Sequence, residues 1–526
     1  MPKVLISDDL SPRAADIFKA RGIEVDVKIG LKPDQLRAII GEYDGLAIRS
    51  ATKVTREVLD VATSLKVVGR AGIGVDNVDV KTATQKGVVV MNTPYGNAIT
   101  TAEHAIALMF ALARELPAAD RSTRASKWEK NRFMGVELAG KTLGVVGCGN
   151  IGSIVADRAL GLKMKVIAFD PFLTEDRAKA IGIEKVELED LFVRADFITL
   201  HAPLTESTKN IVDARSLAKM KKGVRIINCA RGGLVVEDDL KAAIESGHVA
   251  GAALDVFQVE PAKDNPLFQL EQVIATPHLG ASTTEAQEKV ALQIAEQMSD
   301  FLLTGAITNA LNMPSVSAEE APKLKPYMRL AELLGSLLGQ VVEREVTAVT
   351  LELEGHAAEL NPRPLIQAAL TGLFRPMLDS VNMVNAPEIA RQRNIAVSET
   401  RHERDCDYQT LLRLTVVTEA RSRSAAGTLI GGTRPRLVAV QDIAIEADFG
   451  KHLLYVRNKD KPGFIGSIGT VLGSAGINIA TFHLGRSAPG KDALCLIEVD
   501  QPIPDDVLEK VKELKQVERV RTLSFW

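Results

Sequence analysis

Hydrophobic and polar positions alternate over the first 95 residues in a way that predicts short strands separated by helices. Strand-like runs rich in Val, Leu and Ile occupy 3–7, 25–27, 45–49, 67–70 and 88–92, and a helical pattern covers 11–21. Strands that alternate with helices are typical of a parallel sheet flanked by helices. We therefore predict an α/β domain at the start of the chain.

The same alternation continues in a second region, which opens with a long apolar segment. A helix is predicted over 99–116, and further strand-like runs lie at 165–170, 196–200, 224–228, 251–255 and 273–276. Apolar positions at helical spacing over 285–304 predict a helix that returns the chain to the first domain. This order predicts one α/β domain interrupted by another, with a ligand cleft between them at the carboxyl ends of the strands.

The remaining residues divide into a linker, a third region and a terminal module. Pro, Glu and Lys become frequent from about 314 to 326, which predicts a linker, and 327–445 give no catalytic signal. In the terminal module we predict a strand over 453–457, a helix over 463–474, strands over 478–485 and 493–499, a helix over 503–514 and a strand over 517–524. This β-α-β-β-α-β order is that of a ferredoxin-like module. Edge-to-edge pairing of such sheets would join chains into oligomers.

Length and composition exclude several classes of protein. A chain of 526 residues is too long for one hydrophobic core, so it contains several domains. Its net charge of −3 gives no electrostatic reason to expect nucleic acid or an anionic membrane as a partner. The amino terminus lacks the features of a signal peptide, and no apolar run is long enough to span a bilayer. We expect a cytoplasmic protein.

The cysteines show no metal-binding spacing. They are far apart in the chain, at Cys148, Cys229, Cys406 and Cys495. We interpret them as reduced thiols and predict no metal site.

A glycine-rich turn after a predicted strand carries the strongest chemical signal. Gly147 allows a tight turn, Gly149 lets the backbone approach a pyrophosphate, and Gly152 lets the following helix pack on the sheet. Asp170 ends the next strand about twenty residues on, where a carboxylate accepts hydrogen bonds from ribose hydroxyls. No cation follows Asp170 directly, because Pro171 and Phe172 come next. The motif therefore predicts a dinucleotide site and favours NAD over NADP.

Three side chains after the glycine turn have the chemistry of a dehydrogenase. Arg231, Glu260 and His278 each follow a separate predicted strand on the edge where the dinucleotide would lie. An imidazole exchanges the hydroxyl proton as hydride moves, and a carboxylate behind it fixes its orientation. An arginine binds a substrate carboxylate in bidentate fashion. Singly, the residues could instead be a turn histidine, a surface ion pair and an ordinary loop acid. Their conjunction favours hydride transfer between a nicotinamide and a C–OH/C=O centre.

Together these motifs resemble the D-isomer-specific 2-hydroxyacid dehydrogenases. The resemblance rests on the glycine turn and on the segments 228–233, 255–261 and 277–281, and it covers the first 314 residues. The domain order extends it to the long members of the family. It implies a Rossmann-type NAD-binding domain (98–280) inserted in a flavodoxin-like α/β substrate domain (1–97 and 281–314). An α+β intervening domain (315–447) and a ferredoxin-like ACT domain (448–526) would follow.

The resemblance also implies roles for individual residues. His278 would donate and accept the proton, Glu260 would support it, and Arg231 would anchor the substrate. Further substrate contacts would come from Arg49, Ser50, Arg70 and Asn97. Cofactor contacts would fall on the three glycines of the turn and on Ile73, Asn150, Ile151, Asp170, Cys229, Ala230, Arg231, Asp255, His278, Leu279, Gly280 and Ala281. The basic stretch 127–132 around Trp128 either reaches a neighbouring subunit's site or is a solvated surface.

The family pattern further implies an activity and its regulation. The long members interconvert 3-phospho-D-glycerate and 3-phosphooxypyruvate with NAD, as homotetramers, on the phosphorylated route to L-serine. Asn458, Asp460 and Asn478 would bind L-serine at paired ACT domains, although this module could also serve only for dimerisation. Alternatives are a dehydrogenase for glycerate or 2-hydroxyglutarate, and an NAD-sensing transcriptional co-repressor. The co-repressors lack an ACT tail.

Overall fold

Four sheets organise the part of the chain that the structure describes. The structure is a computed structural model that describes residues 1–378, 380–402 and 407–525. Cys406 lies outside these residues, and the other three cysteines are free thiols. Among the described residues, no group of His, Cys, Asp and Glu is placed to hold a metal ion. No helix in these ranges is long and apolar enough to cross a membrane.

The first domain is a five-stranded parallel sheet with the strand order β2-β1-β3-β4-β5. Its strands are β1 (Lys3–Ile6), β2 (Glu24–Val27), β3 (Gly45–Ile48), β4 (Val67–Arg70) and β5 (Val89–Met91). Its helices are α1 (Pro12–Ala20), α2 (Pro33–Ile39), α3 (Arg56–Val61) and α4 (Val80–Gln85). The strands other than the edge strand β2 are almost wholly buried because helices cover both faces, as is typical of parallel sheets.

The second domain is a seven-stranded parallel sheet with the order β12-β11-β10-β9-β6-β7-β8. Its strands are β6 (Thr142–Val146), β7 (Lys165–Phe169), β8 (Glu184–Lys185), β9 (Phe197–Leu200), β10 (Val224–Asn228), β11 (Val249–Leu254) and β12 (Val273–Ala275). Its helices are α5 (Ala98–Ala113), α6 (Leu116–Arg124), α7 (Asn150–Gly161), α8 (Glu175–Ile181), α9 (Leu188–Arg194), α10 (Ala214–Lys219) and α11 (Glu237–Glu245). β6 has β7 on one side and β9 on the other, so the chain extends the sheet first to one side of β6 and then to the other. Ligands bind at such a switch point of a parallel sheet.

The long helix predicted over 99–116 is present as α5 (Ala98–Ala113), but its predicted end is wrong, because a second helix, α6, begins at Leu116. α5 ends at Ala113, and Glu115 adopts a left-handed backbone with φ 52° before α6 begins. Pro117 lies in the first turn of α6, where its missing N–H is tolerated, but it could not continue the hydrogen bonds of α5. The apolar pattern did not reveal this break.

The helix predicted to return to the first domain is confirmed as α12 (Thr284–Thr304). It packs against α1 and β4, and its Ile294 and Met298 are fully buried. An added Cβ at Gly69 would overlap both side chains, so the glycine allows this close approach. The chain then runs beside β5, where the Leu311 amide donates to the Val90 carbonyl at 2.8 Å.

The third region is a six-stranded sheet with two long helices packed on it. Its elements are α13 (Ala321–Val341), β13 (Val346–Gly355), α14 (Pro362–Phe374), α15 (Ala386–Gln392), β14 (Ala396–His402), β15 (Thr410–Thr418), β16 (Ser422–Ile430), β17 (Arg434–Val440) and β18 (Ile443–Ala447). The order is β14-β13-β15-β16-β17-β18, antiparallel except for the β13–β14 pair. The predicted linker over 314–326 is therefore partly wrong. α13 includes Pro326, because buried Leu324 and Leu330 hold this turn in the core.

The terminal module has the predicted β-α-β-β-α-β order. It contains β19 (Leu453–Lys459), α16 (Phe464–Ser474), β20 (Ile479–Arg486), β21 (Asp492–Val499), α17 (Asp505–Lys512) and β22 (Val517–Leu523). The antiparallel sheet has the order β20-β21-β19-β22. Its core is closed by Phe464, Ile468 and Leu472 of α16 and by Val507 and Val511 of α17.

Candidate active site

The glycine turn between β6 and α7 has the geometry that a dinucleotide requires. Gly147 has φ 89°, and an added Cβ would come within 2.7 Å of the His201 carbonyl carbon. An added Cβ at Gly152 would overlap the Gly147 carbonyl oxygen, so the glycine lets the helix approach the turn. Nothing lies within 4 Å of an added Cβ at Gly149, which leaves that side of the turn open. A pyrophosphate can therefore approach the amides that begin α7.

Asp170 faces the same turn from the end of β7. Its Oδ2 accepts a hydrogen bond from the Cys148 amide at 2.8 Å, and its Oδ1 accepts one from the Phe172 amide at 2.8 Å. A carboxylate has about four acceptor sites, so further sites remain for ribose hydroxyls. Asn150, in the first turn of α7, donates from Nδ2 to the Pro94 carbonyl at 3.3 Å and so links the two domains.

His278 and Glu260 form a hydrogen-bonded pair at the ends of β11 and β12. His278 Nδ1 lies 2.7 Å from Glu260 Oε2, and Glu260 Oε1 accepts from the Phe257 amide at 3.1 Å. The hydrogen bond to Glu260 raises the pKa of His278 against the effect of burial. Burial alone would raise the pKa of Glu260, but the hydrogen bonds from His278 and Phe257 lower it below its ordinary value. Since Nδ1 faces Glu260, Nε2 is the ring nitrogen left for a substrate.

Arg231 follows β10 and reaches across the cleft. Its Nε donates to Asp76 Oδ2 of the first domain at 2.9 Å, and its Nη1 donates to the Ala230 carbonyl at 2.7 Å. Asn228 fixes the turn, because its Nδ2 donates to the Arg231 carbonyl at 2.8 Å. An added Cβ at Gly74 would overlap the guanidinium, so the backbone of the first domain lies directly against it.

Arg70 places a second guanidinium beside Arg231. Burial, together with the positive charges of Arg231 and Arg49, lowers the pKa of Arg70 to about 10. The Arg70 guanidinium lies against Gly72 and that of Arg231 against Gly74, while Arg49 directly follows Ile48, the residue of β3 that pairs with Arg70. The Nε of Arg70 has no hydrogen-bond partner among the residues that the structure describes. Ser50 lies with Glu260 and His278 around a cleft of about 630 Å³. The cleft is thus lined by the imidazole and its carboxylate, and Arg49 adjoins it in sequence through Ser50.

The other residues predicted to contact the cofactor or the substrate have the following places in the fold. Asp255 is fully buried and accepts from the amides of Leu279 at 2.7 Å and Gly280 at 2.8 Å, so it shapes the turn that carries His278. Cys229 is buried next to Ala230, and burial raises the pKa of its thiol. Asn97 is buried just before α5. The remaining three are Ile73, which accepts from Asn92 Nδ2, Ile151 in the first turn of α7 and Ala281 beside Gly280.

Sequence reasoning missed two polar residues that contact the predicted ones. Asp76 pairs with Arg231. His104, on α5, lies 3.2 Å from Asp255 through its Nε2. Asp76 lies three residues after Ile73 and follows no predicted strand directly, and His104 is a lone histidine in an apolar helix. Only the tertiary fold identifies their partners.

The basic stretch around Trp128 lies on the surface of this chain. Trp128 is 86% exposed, and Arg132 pairs with Glu271 at 2.7 Å and Glu129 at 3.1 Å. These contacts place it away from the chain's own cleft, so both interpretations of the stretch stay open.

The three residues predicted to bind an amino acid in the terminal module make separate contacts. Asp460 Oδ2 accepts from Arg486 Nη1 and from the Gly490 amide, both at 2.9 Å, and these bonds lower its pKa. Asn478 Nδ2 donates to Asp500 at 2.7 Å. Asn458 is buried, and its Oδ1 has no partner in the described part of the chain.

Comparison with known proteins identifies the family. The NAD binding domain of the D-isomer specific 2-hydroxyacid dehydrogenases matches residues 106–280. The D-3-phosphoglycerate dehydrogenase intervening domain matches residues 323–441, and the ACT domain matches residues 452–516. D-3-phosphoglycerate dehydrogenase from Synechocystis sp. is 44% identical, over 100% of this chain and 95% of its own length. The chain belongs to the D-3-phosphoglycerate dehydrogenase family.

Further relatives agree with this membership of the family. D-3-phosphoglycerate dehydrogenase from Methanocaldococcus jannaschii is 41% identical over 100% of both chains. The solved structure of D-lactate dehydrogenase from Aquifex aeolicus, complexed with NAD and lactic acid, has a TM-score of 0.54 and 25% identity. It covers 59% of this chain and 100% of its own. The predicted fold class, the NAD cofactor and the assignment as an NAD-dependent dehydrogenase are confirmed.

Proposed function

We propose that this enzyme oxidises 3-phospho-D-glycerate to 3-phosphooxypyruvate with NAD, the first step of the phosphorylated route to L-serine. The observation that carries the proposal is the placement of the Arg70 and Arg231 guanidinium groups against Gly72 and Gly74, with Arg49 next to Ser50, which lines the cleft of the His278–Glu260 pair. A substrate with one carboxylate and one phosphate needs several cations, and guanidinium groups bind both anions in bidentate fashion. The names of the full-length relatives support the same substrate.

We propose a role for each group in this reaction, supported by its position in the cleft. Bound NAD would supply the hydride acceptor for the C2 hydrogen. His278 accepts the C2 hydroxyl proton at Nε2, and Glu260 stabilises the imidazolium that forms. Arg231 holds the substrate carboxylate, which takes the position of Asp76 on the guanidinium. Arg70 and Arg49 neutralise the phosphate, and in the reverse direction His278 returns the proton.

We further propose the residues that hold the dinucleotide and the limits of the domains. The turn from Gly147 to Gly152 with Asn150 and Ile151 would bind the pyrophosphate, and Asp170 the ribose. The substrate domain would comprise 1–97 and 281–314, the NAD domain 98–280, the intervening domain 315–447 and the ACT domain 448–526. The start of α5 at Ala98 and the end of β18 at Ala447 support two of these limits.

The test of the substrate compares three 2-oxo acids. NADH oxidation is measured with 3-phosphooxypyruvate, hydroxypyruvate and 2-oxoglutarate, and the phosphorylated acid should give the highest kcat/KM. Arg70→Met should raise the KM for 3-phosphooxypyruvate and change that for hydroxypyruvate little. A preference for either unphosphorylated acid would overturn the substrate assignment.

A second proposal concerns regulation, and the buried Asn458 carbonyl favours it. The Asn458 oxygen lacks a partner in the described chain, and β20 is an edge strand, so a second ACT domain paired there would bring a ligand between them. We propose that L-serine binds at this interface, through Asn458, Asp460 and Asn478, in a cytoplasmic homotetramer. Light scattering with and without L-serine tests the assembly, and activity unchanged by millimolar L-serine would refute the regulation.

A further inference from the structure

The turn that carries His278 is held by one buried carboxylate. Asp255 Oδ1 accepts from the Thr276 hydroxyl at 2.6 Å and from the Leu279 amide at 2.7 Å. Its Oδ2 accepts from the Gly280 amide at 2.8 Å. The His278 amide donates to the carbonyls of Asp255 and Thr276, both at 3.0 Å. Two residues that directly follow β11 and β12 therefore fix the backbone on both sides of His278.

This backbone needs support, because His278 has a left-handed conformation. Its φ is 57°, a value that residues other than glycine rarely adopt. Such a conformation persists only where the surrounding structure enforces it. The position of the imidazole relative to Glu260 thus depends on the hydrogen bonds around the turn.

Helix α5 contacts the same turn through two polar side chains. His104 Nε2 lies 3.2 Å from Asp255 Oδ1 and 3.3 Å from the Thr276 hydroxyl oxygen. Because Asp255 is hydrogen-bonded as a carboxylate, His104 is the donor in this contact. One turn earlier, the Thr101 hydroxyl donates to the Gly280 carbonyl at 2.9 Å. An added Cβ at Gly280 would lie 3.3 Å from Thr101, so the helix and the turn are tightly packed.

The contacts between α5 and the turn also connect the two places where the chain crosses between the domains. α5 begins at Ala98, where the chain passes from the first domain to the second. The turn ending at Gly280 leads into α12, through which the chain returns. The Thr101–Gly280 hydrogen bond therefore joins the two crossing segments beside the cleft.

We propose that His104 is a positioning residue for the reaction, which through Asp255 and Thr276 holds His278 in register with Glu260. Thr101 is a second, weaker anchor of the same turn. The inference rests on the proposed role of His278, and it adds a residue on α5 on which the position of His278 depends.

The test replaces His104 by residues that differ in the donated hydrogen bond. His104→Leu should lower kcat about tenfold, because small displacements of a catalytic group are costly. His104→Gln keeps an amide donor near the Nε2 position and should recover most of the activity. In the direction of reduction, His278 must be protonated, so the rate falls as the pH rises through its pKa. The loosened turn weakens the hydrogen bond that His278 donates to Glu260, so the midpoint in His104→Leu should move to lower pH.

Matched variants separate positioning from general destabilisation. His248 is also a partly buried histidine of the second domain, and its Nε2 lies 3.0 Å from the Leu217 carbonyl on the far side of the sheet. His248→Leu should lower the unfolding temperature without moving the pH midpoint. Thr101→Val should change kcat in the same direction as His104→Leu, by less.

The outcomes also separate this inference from the proposed function. His278→Ala is assayed in parallel with 3-phosphooxypyruvate. If His278→Ala keeps its turnover, the role of His278 itself is wrong. If His278→Ala is inactive while His104→Leu has the wild-type kcat and pH midpoint, only the positioning role is refuted. Equal losses in His104→Gln and His104→Leu would also refute a role through the donated hydrogen bond.

Discussion

A set of three polar residues was predicted to bind a ligand in the interdomain cleft, and another set of three in the ACT domain. The two sets make different contacts in the structure. In the cleft, Arg231, Glu260 and His278 follow neighbouring strands, and His278 lies 2.7 Å from its carboxylate. In the ACT domain, Asp460 is paired with Arg486, and Asn478 is paired with Asp500. In the first set, a histidine and a carboxylate contact each other directly. In the second set, two of the three residues are paired with other neighbours, and the Asn458 oxygen has no partner in the described part of the chain.

The difference follows from the geometry of the two sheets. In a parallel sheet every strand ends at the same edge, so residues after separate strands converge there. In the ACT sheet, strands that are neighbours in the sheet run in opposite directions. Asn458 lies on β19, and Asp460 and Asn478 lie on the connections after β19 and before β20. A site there needs a second surface, which explains why the ACT prediction depends on assembly and the cleft prediction does not.

The largest expected effect is the loss of His278. His278→Ala should lower kcat by ~10²–10⁴-fold, because acid–base catalysis by the imidazole is lost. The affinity for NADH, measured by fluorescence titration, should change far less. A variant that kept its turnover would show that the His278–Glu260 pair does not make the cleft a catalytic site.

Removal of the anchoring guanidinium should have the next largest effect. Arg231→Gln should lower kcat/KM about 10- to 100-fold, the cost of losing a charged hydrogen-bonding partner of the substrate. Arg194 is exposed and pairs with Glu184 and Asp190 of its own domain, so Arg194→Gln is a control that should behave as the wild type. Equal steady-state constants in Arg231→Gln and the control would contradict the anchoring role.

The pH profile provides a more moderate test of the His278–Glu260 pair. Glu260 raises the pKa of His278 above its ordinary 6.5, so the rate of reduction should stay high up to a pH above that value and then fall. Glu260→Gln removes the negative charge, and the midpoint should move to lower pH. A midpoint unchanged in this variant would show that the pair does not control the proton transfer.

The smallest expected effect lies in the ACT domain. If Arg486 competes with the ammonium group of L-serine for Asp460, Arg486→Met should lower the inhibitory concentration of L-serine by a few-fold, because exposed ion pairs are weak. Lys510→Met, which removes a similar exposed pair with Asp506, should leave that concentration unchanged. A higher inhibitory concentration of L-serine in Arg486→Met would mean that Arg486 helps to form the binding site.

Sequence patterns predicted the parts of this molecule that depend on local periodicity and on strand ends. The βαββαβ order of the ACT domain and the return of α12 follow from hydrophobic spacing alone. The break at Glu115 depends on one left-handed residue, and α13 includes a proline that composition assigned to a linker. Asp76 and His104 matter only through partners 155 and 151 residues away, which periodicity does not reveal.

The divided first domain has a consequence for synthesis on the ribosome. The five strands of its sheet lie before α5, but Ile294 and Met298, which cover β4, belong to α12. The second domain is contiguous, so it has all its strands once β12 has emerged. We expect it to fold first, because the sheet of the first domain stays uncovered until α12 has been synthesised. Nascent chains truncated after residue 283 should then yield a protease-resistant second domain and a digestible first one.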